Sequence, residues 1–458
     1  MNIKAVHKAQ QDFFLANKSK NIQFRKEQLV KLLNLLKTNE EALYEAIYKD
    51  FGKSKFETYE TELGLIYAEI KTALKHIDRW TRKKRIKTNL ANIPGRSYAI
   101  PEPLGNALII GAWNYPYQLT LAPLIPAIAA GNTAIIKPSE LAVNTSAIMQ
   151  KLLNENFETG YIHVIEGGIE ETSELLSLKF DKIFFTGSTR VGKIVMQAAA
   201  KHLTPVTLEL GGKSPTFIFK DADLKRAAQR LAWAKFVNGG QTCVAPDYVL
   251  IEDLVKDEFI QYFREEVIKQ YGYNGESKGK ENYVKIINKT HHKRLTSLIV
   301  PEKIAFGGDT NLETLHISPT IMTDISWDDK IMEDEIFGPV LPVISFSDLD
   351  QVVKEVKARP KPLAMYIYTK NNQLKKKLLN EISFGGGCIN DSIMHWSNPS
   401  IPIGGVGESG MGKYHDKAGF DAFTHYKGIL QKRNWFEAPV KYPPFSNIKF
   451  KALKWFME

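Results

Sequence analysis

The fold of this chain is decided by a stretch at residues 107–136, which reads ALIIGAWNYPYQLTLAPLIPAIAAGNTAII. Short apolar runs at Ala107–Ile110 and Thr133–Ile136 predict two strands, and Leu119–Ala130 between them predicts a helix. Similar units follow as far as Leu210, joined by short turns that contain Gly, Pro and Asn. This alternation predicts an α/β fold built on a doubly wound parallel sheet.

The remainder of this segment supplies further elements of the same sheet. Strands are predicted at Ile162–Ile165, Ile183–Phe185 and Val206–Leu210, and helices at Thr145–Leu153 and Val191–His202. Ligands of such sheets bind beyond the carboxyl ends of the strands. The less common polar motifs of the segment lie there, at Trp113-Asn114, Lys137-Pro138-Ser139-Glu140 and Gly187-Ser188.

Two other regions flank this sheet. From about residue 5 to residue 80, apolar residues recur at helical spacing, which predicts long helices on a domain surface. A second α/β segment begins after Gly211-Gly212 and runs to about residue 400, with a helix at Leu224–Val237 and a strand at Tyr248–Ile251. We therefore expect two compact domains with a cleft between them.

The composition is that of an ordinary globular protein, with 458 residues, 43% hydrophobic and 24% charged. The two cysteines, Cys243 and Cys388, exclude a disulfide framework and a CxxC zinc site, and we predict no metal site. The net charge is +10, but the basic residues are scattered and no nucleic-acid-binding motif accompanies them. We expect no nucleic-acid partner. The polar N-terminus and the lack of a long apolar stretch predict a cytoplasmic protein, with at most peripheral contact to a membrane.

A candidate nucleophile lies within residues 238–246, NGGQTCVAP. The glycines let backbone approach a ligand closely, and a cysteine on such a turn is accessible enough to react. The alternative for Cys243 is a small buried hydrophobic residue, as most free cysteines are. Cys388 also follows glycines but has no polar neighbour in the sequence, so we interpret it as structural.

Three polar features follow predicted strands. Glu209 ends an apolar strand, where burial would raise the pKa of its carboxyl group and suit a general base; the alternative is an ion pair with a nearby lysine. Asn114 lies between a strand and a helix, where its amide could donate to an oxyanion or cap the helix. The turn Gly187–Gly192 could present backbone amides to a pyrophosphate, although it departs from GxGxxG and also suits an ordinary strand-to-helix turn.

Six segments occur in the order found in the aldehyde dehydrogenase superfamily. They are WNYP (113–116), IKPSE (136–140), FTGS (185–188), LELGGKSP (208–215), GQTC (240–243) and EIFGP (335–339). The chain resembles that superfamily from about residue 10 to residue 435. Two further segments, CVAPDY (243–248) and GGVGESGMGKYH (404–415), resemble its class 3 branch, which includes fatty and aromatic aldehyde dehydrogenases.

The resemblance implies oxidation of an aldehyde to its carboxylate with NAD(P). Cys243 would attack the carbonyl carbon, and the Asn114 amide and the Cys243 backbone N–H would hold the oxyanion. After hydride transfer to the nicotinamide, Glu209 would activate the water that hydrolyses the thioester. Tyr115 would line the substrate tunnel or serve as an ordinary core aromatic residue. The branch favours medium- or long-chain aliphatic, aromatic or isoprenoid-like aldehydes.

The resemblance also implies the cofactor contacts. They are assigned to Trp113, Lys137, Glu140, Gly187, Ser188, Gly192, Glu335 and Phe337. Lys137 and Glu140 would hold the adenosine ribose, where Glu140 would repel the 2′-phosphate of NADP and Lys137 would attract it. NAD is therefore favoured slightly, with NADP as the alternative. Glu335 would hold the nicotinamide ribose, with a role as base as its alternative.

Domain boundaries follow from the same resemblance. They are 1–85 and 103–208 for an NAD(P)-binding domain with N-terminal helices, 209–407 for a catalytic domain, 86–102 and 425–433 for a small oligomerisation arm, and 434–458 for a C-terminal tail. The class 3 branch is typically dimeric, so we expect a homodimer. The tail mixes aromatic residues with lysines and suits either a weak interfacial membrane anchor or a helix docked over the tunnel mouth.

Two other functions fit the sequence less well. A cofactor-independent thiol hydrolase would leave Lys137 and Glu140 unexplained. A non-catalytic protein with the same fold would be expected to lose Cys243 or its partners, which are all present. The pair His291-His292 on a basic helical stretch is interpreted as a solvated face rather than a metal pair, and His415 as structural.

Overall fold

The computed structural model describes residues 2–273 and 283–457. Its helices are α1 (Ile3–Leu15), α2 (Ile22–Thr38), α3 (Glu40–Phe51), α4 (Lys55–Thr58), α5 (Gly64–Trp80), α6 (Gln118–Ala130), α7 (Val143–Asn156), α8 (Ile169–Ser177), α9 (Thr189–Ala200), α10 (Leu224–Phe236), α11 (Lys256–Tyr271), α12 (Lys289–Thr296), α13 (Leu349–Lys357), α14 (Asn372–Glu381), α15 (Asp416–Ala422) and α16 (Asn447–Met457). Its strands are β1 (Lys84–Ile86), β2 (Arg96–Pro103), β3 (Asn106–Ile110), β4 (Thr133–Lys137), β5 (Ile162–Val164), β6 (Lys182–Thr186), β7 (Val206–Glu209), β8 (Pro215–Ile218), β9 (Tyr248–Glu252), β10 (Ile304–Phe306), β11 (Thr310–Asn311), β12 (His316–Ile317), β13 (Thr320–Met322), β14 (Val340–Phe346), β15 (Ala364–Tyr368), β16 (Gly386–Ile389), β17 (Gly410–Met411) and β18 (Thr424–Gln431).

The first sheet has the strand order β17-β7-β6-β3-β4-β5, and its pairs are parallel except β17 with β7. Alternate residues of β3 enter two different apolar clusters, Ala107 and Ile109 on one side and Leu108 and Ile110 on the other. Both faces are therefore buried, which explains the uninterrupted apolar runs. The predicted doubly wound parallel sheet is confirmed.

Most predicted elements of this sheet are present, with ends shifted by one to three residues. The sequence analysis missed α8, which precedes β6. It also missed β17, whose Gly410 pairs with Glu209 at the edge of the sheet. Part of the stretch 408–424, which the domain prediction left unassigned, thus pairs with the first sheet through Gly410–Met411.

The second α/β segment is built on a separate sheet with the order β10-β13-β14-β9-β8-β15-β16. Its pairs are parallel apart from β10 with β13. The predicted strand at 248–251 is β9 at its centre, and the predicted helix at 224–237 is α10. Two apolar clusters lie on the faces of this sheet.

A third sheet, β1-β2-β18, is antiparallel and takes in most of the two segments predicted as the arm. Ile429 and Leu430 of β18 are exposed. The tail helix α16 lies against the turn Leu90–Asn92 beside this sheet. Within 2–273 and 283–457, no helix is both long and apolar enough to cross a bilayer.

Candidate active site

The turn before Cys243 is held in an unusual backbone conformation. After α10, residues Asn238, Gly239 and Gly240 have φ values of 54°, 61° and 70°, in the left-handed region. A Cβ atom at Gly240 would lie 2.4 Å from the carbonyl oxygen of Gly338, so only glycine fits there. The turn ends in Thr242 and Cys243, which both line a pocket.

The loop that precedes α6 is joined to this turn by hydrogen bonds. Asn114 Nδ2 donates to the carbonyl oxygen of Gln241 at 3.0 Å, and Asn238 Nδ2 donates to the carbonyl oxygen of Asn114 at 2.8 Å. Tyr115 Oη and Thr242 Oγ1 are 2.6 Å apart. Asn114 does not cap α6, which begins at residue 118 without a side-chain cap. Its amide faces the cysteine turn instead.

Cys243 is half-buried and lines the pocket. Burial raises its pKa, and the carboxyl groups of Glu335 and Glu209 raise it further. Both acidic residues therefore lie close enough to act on the thiol electrostatically. The resting thiol is protonated at neutral pH and must lose its proton before it can attack.

Glu209, the last residue of β7, is fully buried. Neither of its carboxyl oxygens has a hydrogen-bond partner among the described residues, so the alternative of an ion pair with lysine is wrong for this structure. Burial raises the pKa of Glu209 well above its usual range. A buried polar group without partners costs stability, which favours a role in binding or chemistry.

Glu335 is a second buried carboxyl group near the thiol. Burial and Asp247 raise its pKa to about 8, while the Gly212 backbone N–H and Lys213 oppose the shift. Its Oε1 has no partner within the described ranges. A Cβ atom at Gly211 would lie 1.9 Å from Glu335 Oε2, so the glycine after β7 makes room for this carboxylate.

The aromatic residues assigned to the cofactor form one cluster. The ring centroid of Trp113 lies 5.3 Å from that of Phe337 in an edge-to-face arrangement, and 5.2 Å from that of His291. Phe51 stacks on Trp113 at 6.4 Å. Phe337 itself has a φ of 53°, which is uncommon for a bulky residue.

The polar cofactor residues lie at the carboxyl ends of β4 and β6. Lys137 is buried, its Nζ donates to the carbonyl oxygen of Pro138 at 2.7 Å, and burial lowers its pKa. Its Nζ is 3.9 Å from Glu140 Oε2, whose side chain is half exposed. Ser188 begins α9, and its Oγ accepts a hydrogen bond from the Val191 N–H.

The glycines of the β6–α9 turn have two different structural roles. The Gly187 N–H donates to the carbonyl oxygen of Glu209 at 3.0 Å. Gly192 lies inside α9, where a Cβ atom would come within 2.6 Å of Leu210. The missing side chain lets α9 pack against Leu210, and the N-terminus of α9 follows the carboxyl end of β6. This cradle fits the phosphates of a dinucleotide.

The pocket beside Cys243 has a volume of about 700 Å³ including its open mouth. It is lined by Glu60, Thr61, Leu65, Tyr115, Gln118, Leu119, Trp233, Val237, Thr242, Cys243, Val244, Ile393, Met394, Trp396 and Ser397. Tyr115 is thus a lining residue. Sequence analysis missed most of the others because they come from widely separated segments and belong to no motif.

Two interpretations of the sequence are corrected. His291-His292 is not a solvated face: His292 is buried with Nε2 3.0 Å from the carbonyl oxygen of His316, and His291 packs on Trp113. Cys388 has a polar neighbour that the sequence did not indicate, since its Sγ lies 3.5 Å from His395 Nδ1. Burial raises the pKa of Cys388 to about 11 and lowers that of His395 to about 4, so the two do not form a thiolate–imidazolium pair.

The profile of the "Aldehyde dehydrogenase family" matches residues 2–429. The chain belongs to the aldehyde dehydrogenase family. It is 47% identical over 448 residues to the 4,4'-diaponeurosporen-aldehyde dehydrogenase of Staphylococcus aureus, covering 97% of each chain. It is 46% identical to aldehyde dehydrogenase family 3 member A2 of Pongo abelii, covering 97% of this chain and 92% of that one.

A solved structure described as the substrate-bound state of Staphylococcus aureus AldH superposes with a TM-score of 0.97 at 46% identity, covering all of both chains. The predicted family, its class 3 branch and the fold are therefore confirmed. The enzyme is an NAD(P)-dependent oxidoreductase that acts on aldehydes.

Proposed function

We propose that the enzyme oxidises its aldehyde through a covalent thioester on Cys243. The observation that carries this proposal is the position of Cys243, which ends a strained glycine turn and opens into the pocket. The Asn114 amide lies beside that turn, and two buried carboxyl groups act on the thiol. The set matches covalent catalysis, in which one difficult step becomes two easier ones.

The first step requires deprotonation of the thiol. The Cys243 proton leaves to a nearby carboxylate or to water, and the sulfur then attacks the aldehyde carbon to give a thiohemiacetal. The side-chain amide of Asn114 has two N–H groups, of which one is engaged with Gln241. The other, together with the Cys243 backbone N–H, donates to the oxyanion.

The second half-reaction requires water activation. Glu209, once deprotonated, removes a proton from the water that attacks the thioester, and the carbon–sulfur bond breaks to release carboxylate and free Cys243. A raised pKa makes Glu209 a stronger base than an exposed carboxylate. Glu335 is assigned to the nicotinamide ribose because the motif EIFGP resembles the segment that makes this contact in the family.

NAD(P) supplies the hydride acceptor when it is bound. Lys137 and Glu140 would hold the adenosine ribose, Gly187 and Ser188 the pyrophosphate, and the Trp113 cluster described above would enclose the nicotinamide side. Gly192 would contribute to the cofactor site indirectly, because it lets α9 pack closely on the sheet. Because Glu140 is exposed where it can repel a 2′-phosphate, while the Lys137 ammonium is buried on Pro138, we propose NAD as the preferred cofactor and NADP as the alternative.

The substrate class follows from the pocket wall. The lining is predominantly apolar, with Leu65, Leu119, Trp233, Ile393 and Trp396 among its residues. We propose medium- or long-chain aliphatic, aromatic or isoprenoid-like aldehydes as substrates. The name of the staphylococcal relative, which specifies an isoprenoid-type aldehyde, supports this class.

The test is a panel of aldehydes of these classes and of short charged semialdehydes, each with NAD and with NADP. Formation of reduced nicotinamide is followed, with Cys243→Ala as the control. We expect kcat/KM to be highest for an apolar aldehyde with NAD. Full turnover by Cys243→Ala would overturn the thioester mechanism, and a preference for short semialdehydes would overturn the substrate class.

The domain division, the assembly and the location are proposals as well. We propose the domain boundaries predicted from the sequence and a cytoplasmic location. We further propose a homodimer formed through the third sheet, β1-β2-β18, where Ile429 and Leu430 are exposed. Replacing both with glutamate is expected to yield monomers in light scattering. Unchanged dimers would exclude β18 from the interface.

The tail is proposed as a weak membrane contact. Trp435, Phe445 and Ile448 are each at least three-quarters exposed; Lys441 lies between the first two, and further lysines follow Ile448. None of the described residues that line the pocket comes from the tail, which disfavours a helix docked over the chain's own tunnel mouth. Deleting the residues after Pro444 should abolish sedimentation with anionic liposomes. Unchanged sedimentation would show that the deleted part of the tail is not a membrane contact.

A further inference from the structure

One charged side chain lies at the mouth of the pocket beside Cys243. Glu60 lines the pocket and is exposed to solvent. No lysine, arginine or histidine is among the described residues of the wall, and most of them are apolar. A substrate that enters from solvent therefore passes a carboxyl group before it reaches the thiol.

The backbone around Glu60 is adapted to place it there. Residues Tyr59–Leu63 form a π-helical turn, in which the Gly64 N–H donates to the carbonyl oxygen of Tyr59. A Cβ atom at Gly64 would lie 2.7 Å from that oxygen, so the turn depends on glycine. Such turns are rare and occur frequently at functional sites. Here the turn presents Glu60 and Thr61 to the pocket.

The charge of Glu60 is not compensated by its neighbours. The nearby cation, Lys53, is fully buried and paired with Glu62 at 2.8 Å. Glu57, one helical turn before Glu60, adds a second carboxyl group, which accepts a hydrogen bond from the Asn238 N–H. In the part of the chain that the structure describes, no side chain forms an ion pair or hydrogen bond with Glu60. Burial raises the pKa of Glu57, so the negative charge among the described lining residues is that of Glu60.

We infer that Glu60 selects substrates by charge, disfavouring aldehydes that carry an anionic group and admitting neutral ones. This inference rests on the proposed function, since it assumes that aldehydes reach Cys243 through this pocket. It adds an electrostatic determinant to the apolar lining. Because Glu60 acts on entry and binding of the substrate, it should change kcat/KM and leave the rates of the chemical steps unaltered.

The test compares two substrates with the same carbon chain, one anionic and one neutral, 6-oxohexanoate and its methyl ester. The ratio of their kcat/KM values, anion over ester, is measured for the wild type and for Glu60→Gln, at about pH 8.5 because partial burial raises the pKa of Glu60. We expect the ratio to rise about three- to tenfold in Glu60→Gln at low salt, and further in Glu60→Lys. At high salt, where charges are screened within a few ångströms, the difference should shrink.

Glu155→Gln provides the matched control, because Glu155 is exposed on α7 and does not line the pocket. It makes the same change in net charge and should leave the ratio unaltered. Suppose that the ester is oxidised normally but the ratio is the same in the wild type and in Glu60→Gln, or that Glu155→Gln changes the ratio as much as Glu60→Gln does. Either result overturns the selecting role of Glu60 and leaves the proposed function standing. If the wild type fails to oxidise the ester at all, the proposed function is overturned and this inference with it.

Discussion

Lys53 and Glu62 form an ion pair from which water is excluded, with Nζ and Oε1 2.8 Å apart and both side chains 0% exposed. The other carboxylate oxygen, Glu62 Oε2, accepts hydrogen bonds from the N–H groups of Tyr117 and Gln118 at the start of α6. Lys53 Nζ also lies 4.6 Å from the ring centroid of Tyr115. The pair thus connects the N-terminal helices to the loop that carries Asn114 and Tyr115.

Removing one member of this pair should be costly. Lys53→Met leaves the Glu62 carboxylate buried without its cation, which typically costs about 3–5 kcal/mol. We expect a marked fall in the apparent melting temperature. Lys8→Met is the control, because Lys8 and Asp12 form an exposed ion pair that contributes little. Equal melting shifts in the two variants would contradict a structural role for the buried pair.

Asn114→Ala should lower kcat by about 10²–10³-fold with little change in KM, because it removes a donor to the oxyanion. The same substitution also breaks the bond from Asn114 to Gln241. Asn238→Gly separates the two effects, because glycine tolerates the left-handed φ of this position and the change removes the Asn238 Nδ2 hydrogen bonds to the carbonyl oxygens of Asn114 and Gln241 without removing an oxyanion donor. If both variants lose kcat equally, Asn114 only supports the turn.

Glu209→Gln should form reduced nicotinamide in a rapid first turnover and then nearly stop, provided that thioester hydrolysis limits the reaction. The amide cannot accept the proton of water, whereas the Cys243 proton can still leave to water or to Glu335 during acylation. Rapid-mixing fluorescence distinguishes the burst from the steady state. Glu335→Gln serves as comparison and should raise the KM for NAD(P) instead. Loss of the burst in Glu209→Gln would assign Glu209 to thiol activation.

The sequence predicted best those parts of the fold that are buried on two faces. In β3 and β4 every residue is buried, so the apolar runs were continuous and the turns between them distinct. Helix α8 was missed because Leu175 is its only residue classed as buried, which leaves little apolar periodicity. Strand β17 was missed because two residues from a distant glycine-rich segment carry no strand pattern of their own.

The candidate catalytic residues could be predicted from the sequence, and the residues of the pocket wall could not. Glu209 and Cys243 belong to motifs whose order in the chain is itself informative. Glu60, Trp233 and Ile393 meet only because the fold brings three distant segments together. His292 was misassigned for a related reason: the basic residues around it suggested a solvated face, but its own side of α12 packs on the β12 strand.

A buried contact between a carboxyl group and a histidine lies next to Trp396 of the pocket wall. Glu69 Oε2 lies 3.5 Å from His415 Nδ1, and both side chains are buried. Burial, with a contribution from Asp416, raises the pKa of Glu69 to about 8. Burial lowers the pKa of His415 to about 4. Near neutral pH the contact therefore joins a protonated acid to a neutral imidazole, and it is not a salt bridge.

This proton links folding to pH. In the unfolded chain Glu69 titrates near 4.5, so between about pH 4.5 and 8 the folded state holds a proton that the unfolded state has lost. The stability that this proton contributes is fully present below the unfolded pKa of 4.5 and is lost as pH rises through the folded pKa of about 8. His415 has the opposite effect between about pH 4 and 6.5, where the unfolded chain carries the extra proton, so the melting temperature of the wild type should fall mainly between about pH 6.5 and 8. Relative to Glu69→Gln, in which glutamine keeps a neutral group without titrating, the wild type should lose stability over the whole range from about pH 4.5 to 8. Glu155→Gln, an exposed control, should follow the wild type. Parallel curves for the wild type and Glu69→Gln would mean that Glu69 titrates normally in the folded enzyme.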